Sequence, residues 1–341
     1  MHKCQVKIVF LGICALLSSK SFSQSPQALQ QIENLLSDAL FFSGQYLTPA
    51  TDAAIYQASS AWVLTPQKKK LWDVSLSLHT NVFFVPKSNR TLTINNSDFS
   101  FFTIEGGATS ALVPTALGDD SQIFLTGQIE DGENSNTVRL ETPQGIDAEV
   151  MVYPYLQGSV GLLYGTELTL KYSTKVKLKH GNYQVYGAGF KHNLSQYFEK
   201  LEAKNLYLSA FAGYSKEEIS FNFLDTETTY GSLGLNEISG KVDTWQFQVN
   251  GSKKWNKFEL MTGLIANTSA IEYEVGGPKG EIESVIPVQA IINKKLVEIY
   301  ADKTNFIGEV SARYQLGSIF LQSVTAFGKF INTNLSVQYE F

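Results

Sequence analysis

The chain has 341 residues, 43% hydrophobic and 17% charged, with 22 Phe, 16 Tyr and 4 Trp. That is enough for one large β-domain or two ordinary ones, and too apolar and aromatic for a disordered or collagen-like chain. A formal charge of −5 argues against a nucleic-acid partner.

The N-terminus reads as a cleaved signal peptide over residues 1–23. Lys3 and Lys7 form a positive start, Ile8 to Leu17 an apolar run, and Ser21 and Ser23 the small residues of a cleavage site, with Gln24 first in the mature chain. Ten apolar residues fall short of the roughly 20 that span a bilayer. Bulky Ile13 before Cys14 speaks against a lipoprotein signal. Cleavage removes Cys4 and Cys14, which excludes a disulfide scaffold, a thiol enzyme or a cysteine-bound metal. It also removes Lys3, Lys7 and Lys20, leaving 24 basic residues against 32 acidic ones, a formal −8.

Residues 24–70 form an amphipathic helix and a plug-like segment. Ser25 is placed as N-cap, Pro26 as the first helical residue and Gly44 as the stop. Leu29, Ile32, Leu36, Ala39 and Leu40 make one apolar stripe, so a helix is expected over 26–43. The Ala-rich stretch after it (Ala50, Ala53, Ala54, Ala58, Ala61) has no clear period. It suits a plug inside a barrel or a segment lying against the barrel mouth.

From Leu71 the period becomes two. Trp72, Val74, Leu76 and Leu78 alternate with Asp73, Ser75, Ser77 and His79, and similar runs follow at 206–215, 258–266 and 306–316. These runs exceed the five or six residues usual in soluble sheets and suit tilted membrane-crossing strands. Only a closed barrel leaves no unpaired strand edge in lipid. A secreted β-sandwich also alternates, and two features favour the barrel over it. Leu335, Val337, Tyr339 and Phe341 share one strand face at the C-terminus, which resembles the signal read by the barrel-assembly machinery of Gram-negative outer membranes. Counting strands back from there places both long connections, 225–240 and 276–303, on one side, outside the cell. The expected fold is an all-β transmembrane antiparallel β-barrel over residues 71–341. It has twelve strands, including 97–104, 148–153 and 157–164, or fourteen if 121–130 and 137–142 join the wall.

Tyr46-Leu47-Thr48-Pro49, Ala61-Trp62, Leu71 to Leu76, Tyr164 to Leu168, Gly187 to His192 and Ala212-Gly213-Tyr214 resemble an uncharacterised group of Bacteroidota outer-membrane barrels. That group is similar in layout to the long-chain fatty acid transporter (FadL-like) family, in which a plug precedes a barrel of about fourteen strands. Thr48-Pro49-Ala50 is the nearest match to that family's asparagine-proline-alanine motif.

No catalytic, cofactor or metal constellation stands out. His79, His180 and His192 are scattered, and no H-E-x-x-H occurs. His192 near Ser195 fits no hydrolase pattern and no G-x-S-x-G is present. Asp119-Asp120 and Glu130, Asp131 and Glu133 lack the spacing of a calcium loop. Gly187-Ala188-Gly189 suits close backbone approach in a curved wall. The expected role is a non-enzymatic, porin-like outer-membrane channel or transporter for small hydrophobic molecules, with outer-membrane lipid and the assembly machinery as partners. The alternative is a structural or adhesion barrel acting through its long loops.

Overall fold

The computed structural model describes residues 26–131, 134–178, 181–222, 227–228, 231–232, 237–280 and 287–341. Ser21, Ser23, Ser25, Glu133 and His180 lie outside the described residues. Ten antiparallel strands form the wall: β1 (Val74–Phe84), β2 (Val150–Gly161), β3 (Thr166–Tyr172), β4 (Gly181–Asn193), β5 (Leu206–Asn222), β6 (Glu237–Trp255), β7 (Phe258–Gly276), β8 (Ala301–Leu316), β9 (Ile319–Phe327) and β10 (Ile331–Glu340). Each pairs with the next, and β10 closes on β1 from Ser75↔Glu340 to Phe83↔Asn332. The barrel is closed, and no wall edge is left to template aggregation.

The wall has ten strands where the sequence pattern suggests twelve to fourteen. Residues 150–153 and 157–161 belong to one strand, β2, which runs through Pro154, and 162–164 fall in the turn after it. Pairing with β3 starts only at Leu156, so the missing proline N–H sits where that edge is free of a ladder. The segment 97–104 is not a wall strand, because β1 already has β10 on one edge and β2 on the other. Residues 121–130 and 137–142 likewise stay out of the wall. Phe124–Asp131 pairs with Asn134–Glu141 and with Thr103–Ile104 in a small sheet of the β1–β2 connection, beside a second one formed by Thr91–Asn95 and Ser110–Pro114.

Connections at one end of the barrel are short: 162–165, 194–205, 256–257 and 317–318. The other end carries 85–149 and 277–300, the latter with helix α2 (Val288–Leu296). Side chains alternate along the wall. Val74, Leu76 and Leu78 point out, while Ser75, Ser77 and His79 are buried inside. Trp72, Tyr164, Tyr197, Trp255, Tyr314 and Phe341 lie exposed around the short-turn end. Phe84, Tyr172, Trp245, Phe306 and Phe327 face outward nearer the long-loop end. From Trp255 to Trp245, ten residues of tilted strand give a band about 25 Å tall, the height of a membrane's apolar layer. Beyond Trp245 the outward residues of β6 turn polar, with Asp243 3.3 Å from Lys216 and Lys241 paired to Glu274.

Helix α1 spans Pro26–Ser59, sixteen residues beyond the expected end at position 43, and passes through both Gly44 and Pro49. Gly44 is not a stop here. It faces Ile299, and a Cβ there would stand 3.7 Å away, an ordinary packing distance. Among the described residues no helix is long and apolar enough to cross a membrane. The Ala-rich turns of α1 that carry Ala50, Ala53, Ala54 and Ala58 are buried within the barrel, and small side chains let the wall approach closely. At Gly240 a Cβ would come within 2.9 Å of Thr51.

An outward charge in mid-band tests the membrane-facing assignment. Leu264 on β7 is 75% exposed. Leu264→Arg is expected to destabilise the barrel by about 2–4 kcal/mol, read as a lower urea midpoint of unfolding in lipid vesicles, while Lys241→Arg above the band leaves the midpoint unchanged.

Candidate functional site

The lumen is the site, and it is occupied by the chain's own N-terminal segment. A helix ending in water leaves its last carbonyls to solvent; α1 ends at Ser59 inside the barrel, so protein groups must meet them. Ala61 follows at φ +58, the left-handed turn common after a helix end, and its N–H donates to Glu309 of β8 at 3.0 Å. The Trp62 indole donates to Ala58 O at 2.6 Å. Lys171 of β3, fully buried, donates to Ala58 O (3.1 Å) and Ser60 O (3.0 Å). A cation at a helix C-terminus is the favourable sign. Its ammonium also lies 4.3 Å from the Trp62 ring and 4.8 Å from the Tyr155 ring.

Residues 60–67 have no regular structure, and the wall supplies what a helix or ladder would. Gln157 donates to Trp62 O (3.0 Å) and Gln322 to Leu64 O (3.1 Å). Lys191 donates to Thr65 O (2.8 Å) and Gln67 O (3.2 Å), and Asn193 to Pro66 O (2.7 Å). Glu259 accepts from Thr65 and Gln67, both at 2.9 Å. Near the short-turn end Lys69 donates to Ser75 (2.6 Å) and Ser159 (2.7 Å), and Glu167 pairs with Lys191 at 2.6 Å. Higher up, Asp52 of α1 pairs with both Lys303 and Lys329. Buried charges persist only when paired in this way.

Aromatic packing completes the filling. Phe211 lies over the inward faces of Gly189 and Gly213, where a Cβ at Gly189 would come within 2.3 Å of its ring, and it meets Trp62 at 5.3 Å. The glycine-rich stretch at 187–189 therefore makes room for a ring. Along β5 and β6, Ser209 Oγ, Gln246 Oε1 and Asn250 Nδ2 are buried without a hydrogen-bond partner.

At the rim and above it, α1 is fastened to the β1–β2 connection. Asp38 accepts from the backbone N–H groups of Ser100, Phe101 and Phe102 at 2.7–3.1 Å. Tyr46 donates to Gln144 O at 2.7 Å. Within the connection, Arg139 forks onto Glu105 and lies 3.4 Å over the Phe124 ring. Asp119 accepts from both the hydroxyl and the N–H of Ser121, which hold its carboxyl below the usual range.

The histidines do not converge. His79 is buried between Asn334 (2.8 Å) and Ser77 (2.9 Å), stacked on Tyr155. His192 contacts Thr166 and Tyr197, both at 3.0 Å, whereas Ser195 takes its hydrogen bond from Asn193. Among the described residues no group of three or more metal-ligating side chains occurs. The C-terminal set does converge. Leu335, Val337 and Tyr339 face outward on β10, Phe341 follows with its N–H on Val74 O at 3.0 Å, and the Tyr339 and Phe341 rings meet at 4.8 Å. Sequence alone does not single out Lys171, Glu259 and Glu309. Their signal is a charge standing on the inward phase of an alternating strand.

A family model matches residues 1–341 from end to end. The chain belongs to DUF6588, a family of unknown function. No curated protein matches it. Solved structures similar to the chain are outer-membrane proteins. The attachment invasion locus protein Ail of Yersinia pestis, in complex with a heparin analogue, is 7% identical, with 80% of this chain and 100% of that one covered and a TM-score of 0.30. The outer-membrane protease OmpT of Escherichia coli is 12% identical, with 81% and 100% covered and a TM-score of 0.29. The translocator domain of the autotransporter NalP of Neisseria meningitidis is 9% identical, with 86% and 95% covered and a TM-score of 0.33. At such identities and scores the likeness says nothing of what this chain binds or does, and the closed barrel rests on its own strand pairing.

Removing the lumen cation exposes the cost of the buried helix end. Lys171→Met leaves Ala58 O and Ser60 O without that donor and is expected to destabilise the folded protein by about 3–5 kcal/mol. The readout is the urea midpoint of heat-modifiable gel mobility in vesicles, and an unchanged midpoint would count against the lumen assignment.

Proposed function

We propose that this protein is an outer-membrane barrel, stoppered at rest, that acts as a structural or surface-contact protein through its long-loop end. The observation that carries the reading is the filling of the lumen by residues 50–67, all buried apart from the half-buried Gln67 and tied to inward-facing groups of β2, β3, β4, β7, β8, β9 and β10. A wall this closely matched to its filling suits a barrel that holds something in place better than an open pore. Short turns face the periplasm in bacterial barrels and long loops the outside, which puts 85–149 and 277–300 at the cell surface. Export by a signal peptide cut after Ser23 and outer-membrane lipid around the apolar band belong to the same reading. No enzymatic activity is part of it.

Passive uptake is the second reading, in line with the resemblance to transporter barrels, and one observation favours it. The stopper is held by polar contacts, and Ser209 Oγ, Gln246 Oε1 and Asn250 Nδ2, each without a hydrogen-bond partner, line the wall beside it. A path opened there is polar, and suits a hydrophilic solute better than a hydrophobic one. Planar-bilayer recording separates the readings. The intact protein is expected to conduct negligibly, and deletion of residues 25–66 to open a stable conductance. A conductance in the intact protein equal to that of the deletion would overturn the stoppered state.

We assign Leu335, Val337, Tyr339 and Phe341 as the barrel-assembly signal, since they lie on the outward face of the strand that closes the wall. Deleting Phe341 is expected to cut the heat-modifiable, membrane-inserted fraction several-fold in cells, whereas Gln338→Asn on the inward face of the same strand leaves targeting intact. Equal inserted fractions for the deletion and the wild type would refute the assignment.

A further inference from the structure

The lumen segment runs in one direction, which a single wall strand measures. Thr51 meets Tyr273 at 3.4 Å, Ser59 meets Asn267 at 2.7 Å, and Thr65 and Gln67 meet Glu259 at 2.9 Å. These are three successive levels on β7, stepping from its long-loop end at Gly276 to its short-turn end at Phe258. The chain then leaves the barrel at the short-turn end, where Trp72 N–H donates to Gly161 O at 2.9 Å and β1 begins. In the opposite direction α1 climbs out of the lumen. Tyr46 packs against Phe221 near the end of β5, and Gly44 against Ile299 of the 277–300 connection. Asp38 holds the N–H groups of residues 100–102, and Gln31 accepts from Glu130 N–H at 2.8 Å. Fifteen residues of helix separate Gln31 from Tyr46, about 22 Å at ~1.5 Å per residue.

We propose that the chain threads its own barrel from the outside inward, so that the start of α1 stands at the cell surface together with the 85–149 connection. The inference rests on the orientation given above, short turns toward the periplasm. Three features of the chain make the arrangement self-consistent. Among the described residues the upper half of α1 is fastened to the long-loop end by Asp38, Tyr46 and Gln31, and to nothing at the short-turn end. The lower half and residues 60–67 are fastened to wall groups at every level on the way down. The first wall strand starts where the segment emerges, so the covalent path has no slack for the helix to enter from the opposite mouth. Threading makes the N-terminal segment an element that crosses the membrane with the barrel during assembly, and a site at which a fused sequence is displayed outside.

Single cysteines test the inference in a mature chain that has none. Gln30→Cys at the start of α1, Ala108→Cys in the 85–149 connection and Lys257→Cys in a short turn all replace exposed residues. Each is expressed in cells and treated with a membrane-impermeant maleimide before and after the outer membrane is permeabilised. The wild-type chain sets the background, and heat-modifiable mobility confirms folding. Positions 30 and 108 are expected to label in intact cells, and position 257 at least tenfold less until permeabilisation. Labelling at 108 with protection at 30 would overturn the threading while leaving the orientation in place. Labelling at 257 with protection at 30 and 108 would overturn the orientation, and surface display with it.

Discussion

An irregular stretch of backbone buried inside a closed barrel has no neighbouring strand to satisfy it, and the rest of this structure depends on how that need is met. Seven carbonyls between Ala58 and Gln67 take hydrogen bonds from wall side chains. Lys171 stands at the centre of the arrangement, because it meets the end of a helix dipole with a positive charge and covers its flank with two aromatic rings. On the other side of the same turn Glu309 accepts from the Ala61 N–H. Each buried ion in this chain of contacts is tolerated because its neighbour is present.

The same requirement accounts for the inner face of the wall. A small barrel can fill itself with its own side chains. Here the inward positions are Ser, Asn, Gln, Lys and Glu instead, because they line a segment whose exposed groups are carbonyls. Where the segment is helical and its backbone satisfies itself, the lining is different. Ala50, Ala53 and Ala54 share one continuous apolar core with Phe221, Val242 and Tyr273 of the wall, and it extends into the 85–149 connection. The lumen thus divides by chemistry into an apolar upper part that grips a helix and a polar lower part that grips a strand-less chain.

Much of this was legible in the residues. Alternation at 71–79, 206–215 and 258–266 carries the inside-outside phase of the wall, because a strand's period of two is local. The outward C-terminal face formed by Leu335, Val337, Tyr339 and Phe341 is readable for the same reason. Strand count was less legible. Proline at 154 reads as a break, and it becomes a continuous strand only because one edge of β2 is unpaired there. The run 121–142 has genuine strand character, and only the prior occupation of both edges of β1 keeps it out of the wall.

The end of α1 and the identity of the site divide the two sources most sharply. By itself the sequence determined that an alternating, apolar-faced chain follows an amphipathic helix, since hydrophobic period is a property of neighbouring residues. It did not determine that the helix continues through Gly44 and Pro49 to Ser59, because the stabilisation comes from burial against wall residues more than two hundred positions away. Nor did it show that Lys171, Glu259 and Glu309 all reach the segment that fills the lumen. A lone charge on an inward phase has no partner in sequence, and only closing β10 onto β1 makes an interior in which such a charge must find one.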